Sequence, residues 1–318
     1  MIIKESDGIK YVSFSEEDIS LRAKAFEKVI REFTDQHLIG PAIKRGSIRR
    51  RLKEPPWVPP KDIEYKYIQG KKFRMEMIMP ADIGQDFKLC VLQLHGGGYI
   101  GAMRNIYRDF AVKYAEMRGG MPVFTPDYRV APADPFPAAL EDVIDSYRYI
   151  VNKFPGIKVI AAGDSAGGGL ALALTAHVRD TGGPLPAALV LMSPWADLTA
   201  SGPSYTDNYE SDIMFGKTHD SMIYNGEYPG DHDPHDPMIS PIYGSFKRMP
   251  ETFIQSGSDE MLLSDSESVW KGINSEGGHA LLHVYKGMFH VFQMGLDRMP
   301  ESAYAWNEVK EFIEGIDL

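Results

Sequence analysis

Residues 158–180 read KVIAAGDSAGGGLALALTAHVRD. KVIAAGD has the composition of a buried strand, and SAGGGLALALTAHV has that of a turn running into a helix. Between them Ser165 sits flanked by Gly163 and Gly167, a G-x-S-x-G pattern. A serine on a sharp strand-to-helix turn occupies a strained backbone conformation. Its flanking positions must be nearly free of side chain to avoid clashes. The helix that follows would place its free N–H groups and positive dipole end beside the hydroxyl, where negative charge would develop. Ser165 is therefore a candidate nucleophile.

The same alternation extends along the chain. LCVLQL, PVFTPD, KVIAAGD, AALVLMS, TFIQSG and ALLHVY read as short strands, with helical pattern at about 104–118, 138–153, 166–180, 264–276 and 302–315. Strand and helix in turn imply βαβ units and a mostly parallel sheet with helices on both faces. IEYKYIQGKKFRMEMIMP alternates around a glycine and predicts an antiparallel pair, its methionines in the strand core. Residues 16–38 carry apolar positions at helical spacing, ended by the Pro-rich KEPPWVPP. Residues 199–245 are polar, aromatic and short of strands, too long for an ordinary connection, and are expected to fold over something.

The bulk properties narrow the class. The 318 residues carry a formal charge of −10, which disfavours nucleic acid as a partner. A content of 43% hydrophobic residues can bury a sizeable core. The basic run KRGSIRRRLK (44–53) is a local exception, read as a solvated face with an anionic-partner patch as the alternative. Cys90 is the single cysteine and lies in a buried apolar run, so no internal disulfide forms. No stretch approaches the length of a membrane span, and the N-terminus lacks the apolar run of a signal peptide; the expectation is a cytoplasmic protein.

A serine needs a base, and the base needs an orienting acid. His290, in YKGMFHVFQ between the last strand and the last helix, is the best placed of the nine histidines. His283 alternates within a strand, His279 starts it, and His177 faces away on the helix after Ser165. TFIQSGSDEMLLSDS offers Asp259, Glu260 and Asp265. Asp259 lies nearest the strand's carboxyl end, where α/β catalytic groups collect, and is taken as the acid; Asp265 reads as a helix-start residue. QLHGGGYIGA (93–102) follows another strand and meets neither the Walker A nor the dinucleotide glycine spacing. It fits instead a loop donating backbone N–H groups to a tetrahedral oxyanion, from Gly97, Gly98 and the Ala166 amide after the nucleophile. His95 and Gly96 support that loop. GDHDPHDP (230–237) offers His232 and His235 among carboxylates, but Pro234 and the irregular context argue against a metal site.

HGGGYI, DYRVAPADPFPAALED, GDSAGGGLAL, MSPWADLT and YKGMFHVF together, in this order, resemble the hormone-sensitive-lipase-like branch of the α/β-hydrolase esterases. The resemblance spans roughly residues 60–315. It implies an eight-stranded, mostly parallel α/β-hydrolase sheet over 56–318, with a helical cap formed by residues 1–55 and an insertion at about 199–245. It also implies hydrolysis of small, uncharged esters of short to medium acyl chain, without metal or organic cofactor, and a homodimer is an open arrangement. Ala133 stands where members often carry Glu, and QSGSDEMLLSDS and HVFQ look nearer to acetyl hydrolases and monoterpene lactone hydrolases. A lactonase or an amidase with the same triad are alternatives. A non-catalytic receptor is the remote one, since hormone receptors resembling this family lack the histidine that is kept here as His290.

Overall fold

The computed structural model describes residues 1–14, 19–33, 54–70, 74–84 and 87–317. The basic run 44–53 lies outside the described residues. The described residues build one ten-stranded sheet, in the spatial order β1-β2-β10-β9-β8-β7-β5-β6-β4-β3. These strands are β1 (Ile2–Ser6), β2 (Ile9–Ser13), β3 (Ile63–Gln69), β4 (Arg74–Pro80), β5 (Leu89–Leu94), β6 (Val123–Asp127), β7 (Lys158–Asp164), β8 (Ala188–Met192), β9 (Glu251–Gly257) and β10 (Ala280–Tyr285). The seven strands from β2 to β6 in this order are mutually parallel; at the edges β1 pairs antiparallel with β2, β4 antiparallel with β6, and β3 antiparallel with β4.

The helices are α1 (Leu21–Phe33), α2 (Asn105–Ala115), α3 (Ala138–Lys153), α4 (Ala166–Asp180), α5 (Ser204–Asp207), α6 (Leu263–Ser275) and α7 (Pro300–Gly315). Side chains alternate between the two faces of each strand, so the sheet splits the core in two. Cys90, Leu92 and Leu94 of β5, Val159 and Ala161 of β7 and Leu189 and Leu191 of β8 pack with α3, α4 and α6. Leu89, Val91, Ile160, Ala162, Ala188 and Val190 pack on the other side with α2 and α7. Helical cover on both faces is why these strands read as unbroken apolar runs.

Two expectations need correction. The sheet has ten strands, not eight, and the extra pair is the N-terminal hairpin. Residues 1–13 therefore extend the catalytic sheet and are not part of a helical cap. Asp7 and Gly8 both have positive φ, 54° and 82°, as a two-residue hairpin turn of this hand requires. Within 199–245 the described structure holds one four-residue helix and a short 3-10 turn at Pro241–Tyr243; the remainder is turn and bend rather than helical cap.

The hairpin is locked to the body by a buried cluster. Glu308 of α7 meets Lys10 Nζ of β2 at 2.5 Å and His283 Nδ1 of β10 at 3.0 Å, and accepts the Tyr285 hydroxyl. Burial alone would raise the Glu308 carboxyl, but its bonds to His283, Lys10 and Tyr285 outweigh this and hold it below the ordinary value. Its contribution to stability is thus full above pH 4.5 and is lost as pH falls through the lower folded value. Glu308→Gln should cost about 3 kcal/mol in urea unfolding at pH 7. The gap to wild type should narrow as unfolding is repeated at progressively more acid pH.

Candidate active site

Ser165 lies between β7 and α4 at φ 51° and ψ −122°, a region that costs a non-glycine residue on the order of 1–3 kcal/mol. Four backbone hydrogen bonds hold it there. Its amide donates to Met192 O at 3.0 Å, and its carbonyl accepts from Gly168, Gly169 and Trp195 at 3.0, 3.2 and 2.9 Å. A Cβ on Gly163 would overlap the Gly167 carbonyl, and one on Gly167 would overlap the Leu94 carbonyl. The two glycines are required because backbone passes directly over backbone at both.

The loop after β5 lies beside this turn. Gly97 and Gly98 both have positive φ, 107° and 62°. Gly97 O accepts from Ile100 and Gly101 at 3.2 and 2.8 Å, closing the loop on itself. Neither the Gly97 nor the Gly98 amide donates to another group among the described residues. Ala166, first in α4, has no carbonyl four residues back inside the helix to receive its amide. His95 Nδ1 lies 2.9 Å from Gly96 O, and its ring stacks on Tyr128 at 4.0 Å, while the Tyr128 hydroxyl donates to His95 O. The loop is thereby braced from beneath.

His290 is buried in the turn after β10, and its Nδ1 lies 2.6 Å from Glu260 Oε2. The carboxylate facing the imidazole is therefore Glu260, which replaces the expected Asp259. Asp259 is half-exposed, and its side chain accepts the Ser258 hydroxyl at 2.7 Å instead. Its amide donates to Met288 O at 3.1 Å, which holds the backbone after β9 against the histidine's own turn. The next side chain, one methylene longer, enters the interior. Glu260 Oε1 accepts from Ser193 Oγ at 2.9 Å, Gly257 N at 2.7 Å and Ser256 Oγ. The buried charge is thus fully hydrogen-bonded. Ser193 Oγ also accepts from Val291 N at 3.1 Å, tying Glu260 to the residue after His290.

Asp265 does begin α6, but it does not cap its own helix. Its Oδ2 accepts from Ala196 and Asp197 amides, both at 2.8 Å, and so holds the loop after β8. His283 belongs to the Glu308 cluster, and His279 pairs with Glu251 at 3.3 Å on the surface. His235 pairs with Asp233 at 2.9 Å, also exposed. Among the described residues no three His, Cys, Asp or Glu side chains group so as to hold a metal ion.

Ser165, His290, Gly97 and Gly98 line one cavity of about 410 Å³. Its walls are apolar where Ile106, Met214, Phe215, Met222, Val291 and Met294 contribute, and polar at Glu54, Arg104 and Asp164. Phe215 sets its ring edge-on to His290 at 5.0 Å. It is positioned by Asp212, a buried residue that the sequence reading passed over. Asp212 Oδ1 accepts from Met214 and Phe215 amides, and Oδ2 accepts from Met261 N at 2.8 Å.

A strained serine turn, a braced glycine loop and a carboxylate-held histidine thus share one cavity at the carboxyl ends of parallel strands. Comparison with known proteins identifies the group. The chain belongs to the alpha/beta hydrolase fold family. The family model matches residues 91–294. The acetyl-hydrolase of Streptomyces hygroscopicus is 36% identical over 68% of this chain and 72% of its own length. An esterase of Acinetobacter venetianus is 31% identical over 72% and 75% respectively. Among solved structures, an esterase from the bacterial hormone-sensitive lipase family superposes with a TM-score of 0.78 at 30% identity, covering 93% of this chain and 98% of that one. This protein is a carboxylesterase-like hydrolase of that branch.

The turn geometry of this hydrolase makes a direct prediction. Gly167→Ala forces a methyl group into the Leu94 carbonyl and should cost about 3 kcal/mol in urea unfolding. Gly182→Ala, at φ 72° with open space around it, should cost only about 1–2 kcal/mol from its backbone conformation. Equal losses in the two variants would mean that the close approach at Gly167 is not what requires glycine.

Proposed function

We propose that the protein hydrolyses small carboxylic esters of short to medium acyl chain through Ser165, His290 and Glu260. The observation that carries this reading is the imidazole of His290, held by Glu260 in the cavity onto which the strained Ser165 turn opens. Ser165 Oγ attacks the ester carbonyl as His290 Nε2 takes its proton. Glu260 accepts the Nδ1–H, fixing the tautomer and stabilising the imidazolium. The Gly97, Gly98 and Ala166 amides receive the oxyanion, where each donor is worth about 2.7–4 kcal/mol. His290 then protonates the departing alkoxide, and water releases the acyl group by the same route.

The cavity supports the choice of substrate. At about 410 Å³ it suits a small ester, and its walls of methionine, isoleucine and phenylalanine suit an uncharged acyl chain. Residues 199–245 act as a cap in this reading, since Met214, Phe215 and Met222 close the cavity from that side.

Initial rates on p-nitrophenyl esters from acetate to decanoate are expected to peak at the shorter chains and to vanish in Ser165→Ala. Glu260→Gln should lower kcat roughly 10³–10⁴-fold, because the amide no longer selects the Nδ1–H tautomer or offsets the imidazolium. Asp259→Asn should stay within a few-fold of wild type. The reverse ranking of these two variants would return the orienting role to Asp259, and turnover surviving in Ser165→Ala would remove the nucleophile.

A further inference from the structure

Two carboxyl groups line the cavity, Glu54 and Asp164, and the reaction above uses neither. Asp164, the last residue of β7, is buried and immediately precedes the nucleophile. Its Oδ1 accepts from the Gly96 amide at 3.1 Å, and its Oδ2 accepts from the Tyr107 hydroxyl of α2 at 3.3 Å. A Cβ on Gly96 would overlap this carboxyl, so the glycine lets the acid lie flush beneath the loop. The Gly96 amide is thereby pulled down onto Asp164, while the next two amides, Gly97 and Gly98, keep no partner among the described residues.

We infer that Asp164 is a positioning residue: its carboxylate anchors Gly96 and so aims the Gly97 and Gly98 amides at the developing oxyanion, and protonating it loosens that aim. A hydrogen bond to an ionised carboxylate is roughly twice as strong as one to its neutral form, which is why the protonation state reaches the loop. Burial pushes the Asp164 carboxyl up to about 7, against the opposing pull of His290, the Gly96 amide and Tyr107. The anchor therefore changes strength within the range where an esterase is ordinarily assayed. The titratable groups around it are His95 beside Gly96, His290 from the turn after β10, Tyr107 and Tyr114 of α2, Tyr128 after β6, and Glu54, which is paired with Arg104 in the same cavity. Burial raises all three phenols well above their usual range, so they stay neutral donors. Arg104, at the start of α2, acts on Tyr107. The kinetic consequence rests on the esterase reading, but the anchor itself does not.

The test reads the Gly96 amide directly. His95–Gly96 is the only His-Gly pair in the sequence, so carbonyl-¹³C histidine with ¹⁵N-glycine labelling gives a single correlated amide signal. In the wild-type chain that signal should titrate with a midpoint near 7. In Asp164→Asn the titration should disappear. In Tyr107→Phe, which removes a donor to the charged form, the midpoint should move to higher pH. For ester turnover above pH 8, Asp164→Asn should lower kcat about 3–10-fold with a smaller change in KM. It should also remove one step from the kcat–pH profile, since a neutral amide carries the weaker bond. A Gly96 signal that ignores pH, or one that titrates unchanged in both variants, overturns the anchor. If Asp164→Asn does not fold, Tyr107→Phe decides the matter by the direction of the midpoint. A titrating Gly96 signal in a chain that hydrolyses no ester would uphold the anchor while sinking the esterase reading.

Discussion

The site depends on one crossing, where Gly167 at the start of α4 passes against the carbonyl of Leu94 at the end of β5. This approach brings the Ser165 turn and the glycine loop, which come from neighbouring parallel strands, to one cavity. A side chain at Gly167 would push the helix off the loop, and the Ser165 turn would part from Gly97 and Gly98. The strain at Ser165 follows from the same packing. Its four backbone hydrogen bonds reach to β8, to the first turn of α4 and to Trp195. Each is a fixed part of the body, so the chain cannot relax the serine without opening the sheet's upper edge.

His290 and Glu260 are brought together on a second foundation. Ser193, just past β8, has φ 48° and places one hydroxyl between Glu260 and the Val291 amide. Three consecutive strands, β8, β9 and β10, thus contribute to one buried polar knot whose donors and acceptors are matched. A carboxylate with no exposed surface is tolerable only because of that matching.

What could be read from the sequence divides along the same line. That Ser165, Gly97, Gly98 and His290 would meet at one cavity was legible because each is constrained by backbone. A strand-to-helix turn flanked by glycines and a glycine run after a strand leave marks in one dimension. The choice between Asp259 and Glu260 was not legible, because it turns on which of two adjacent carboxylates faces inward. That is set by the Met288 carbonyl and the Ser193 hydroxyl, both distant in sequence. The N-terminal hairpin did leave a mark, Asp7–Gly8 between two alternating runs, which a reading centred on helix periodicity passed over. Asp212 left none, since its role is to accept amides of its own turn and of Met261.

The attachment of the irregular 199–245 segment decides what can vary. Asn208 donates to the Ser258 and Glu260 carbonyls, Ser211 to the Asp259 carbonyl, and Asp212 accepts from Met261. All of these contacts hold the segment to the backbone around Glu260, and none uses the Glu260 carboxylate itself. The same segment lines the cavity with Met214 and Met222, beside the Phe215 ring packed on His290. Met222 rests its thioether where a Cβ of Gly98 would be, a contact with a flexible chain that can give way. Altering those walls therefore changes the volume offered to an acyl chain without loosening the polar knot that orients His290. In the proposed reaction the chemistry would lie at the ends of the strands and the acyl selectivity in a segment clamped beside them, so that the two are physically separable in one continuous chain.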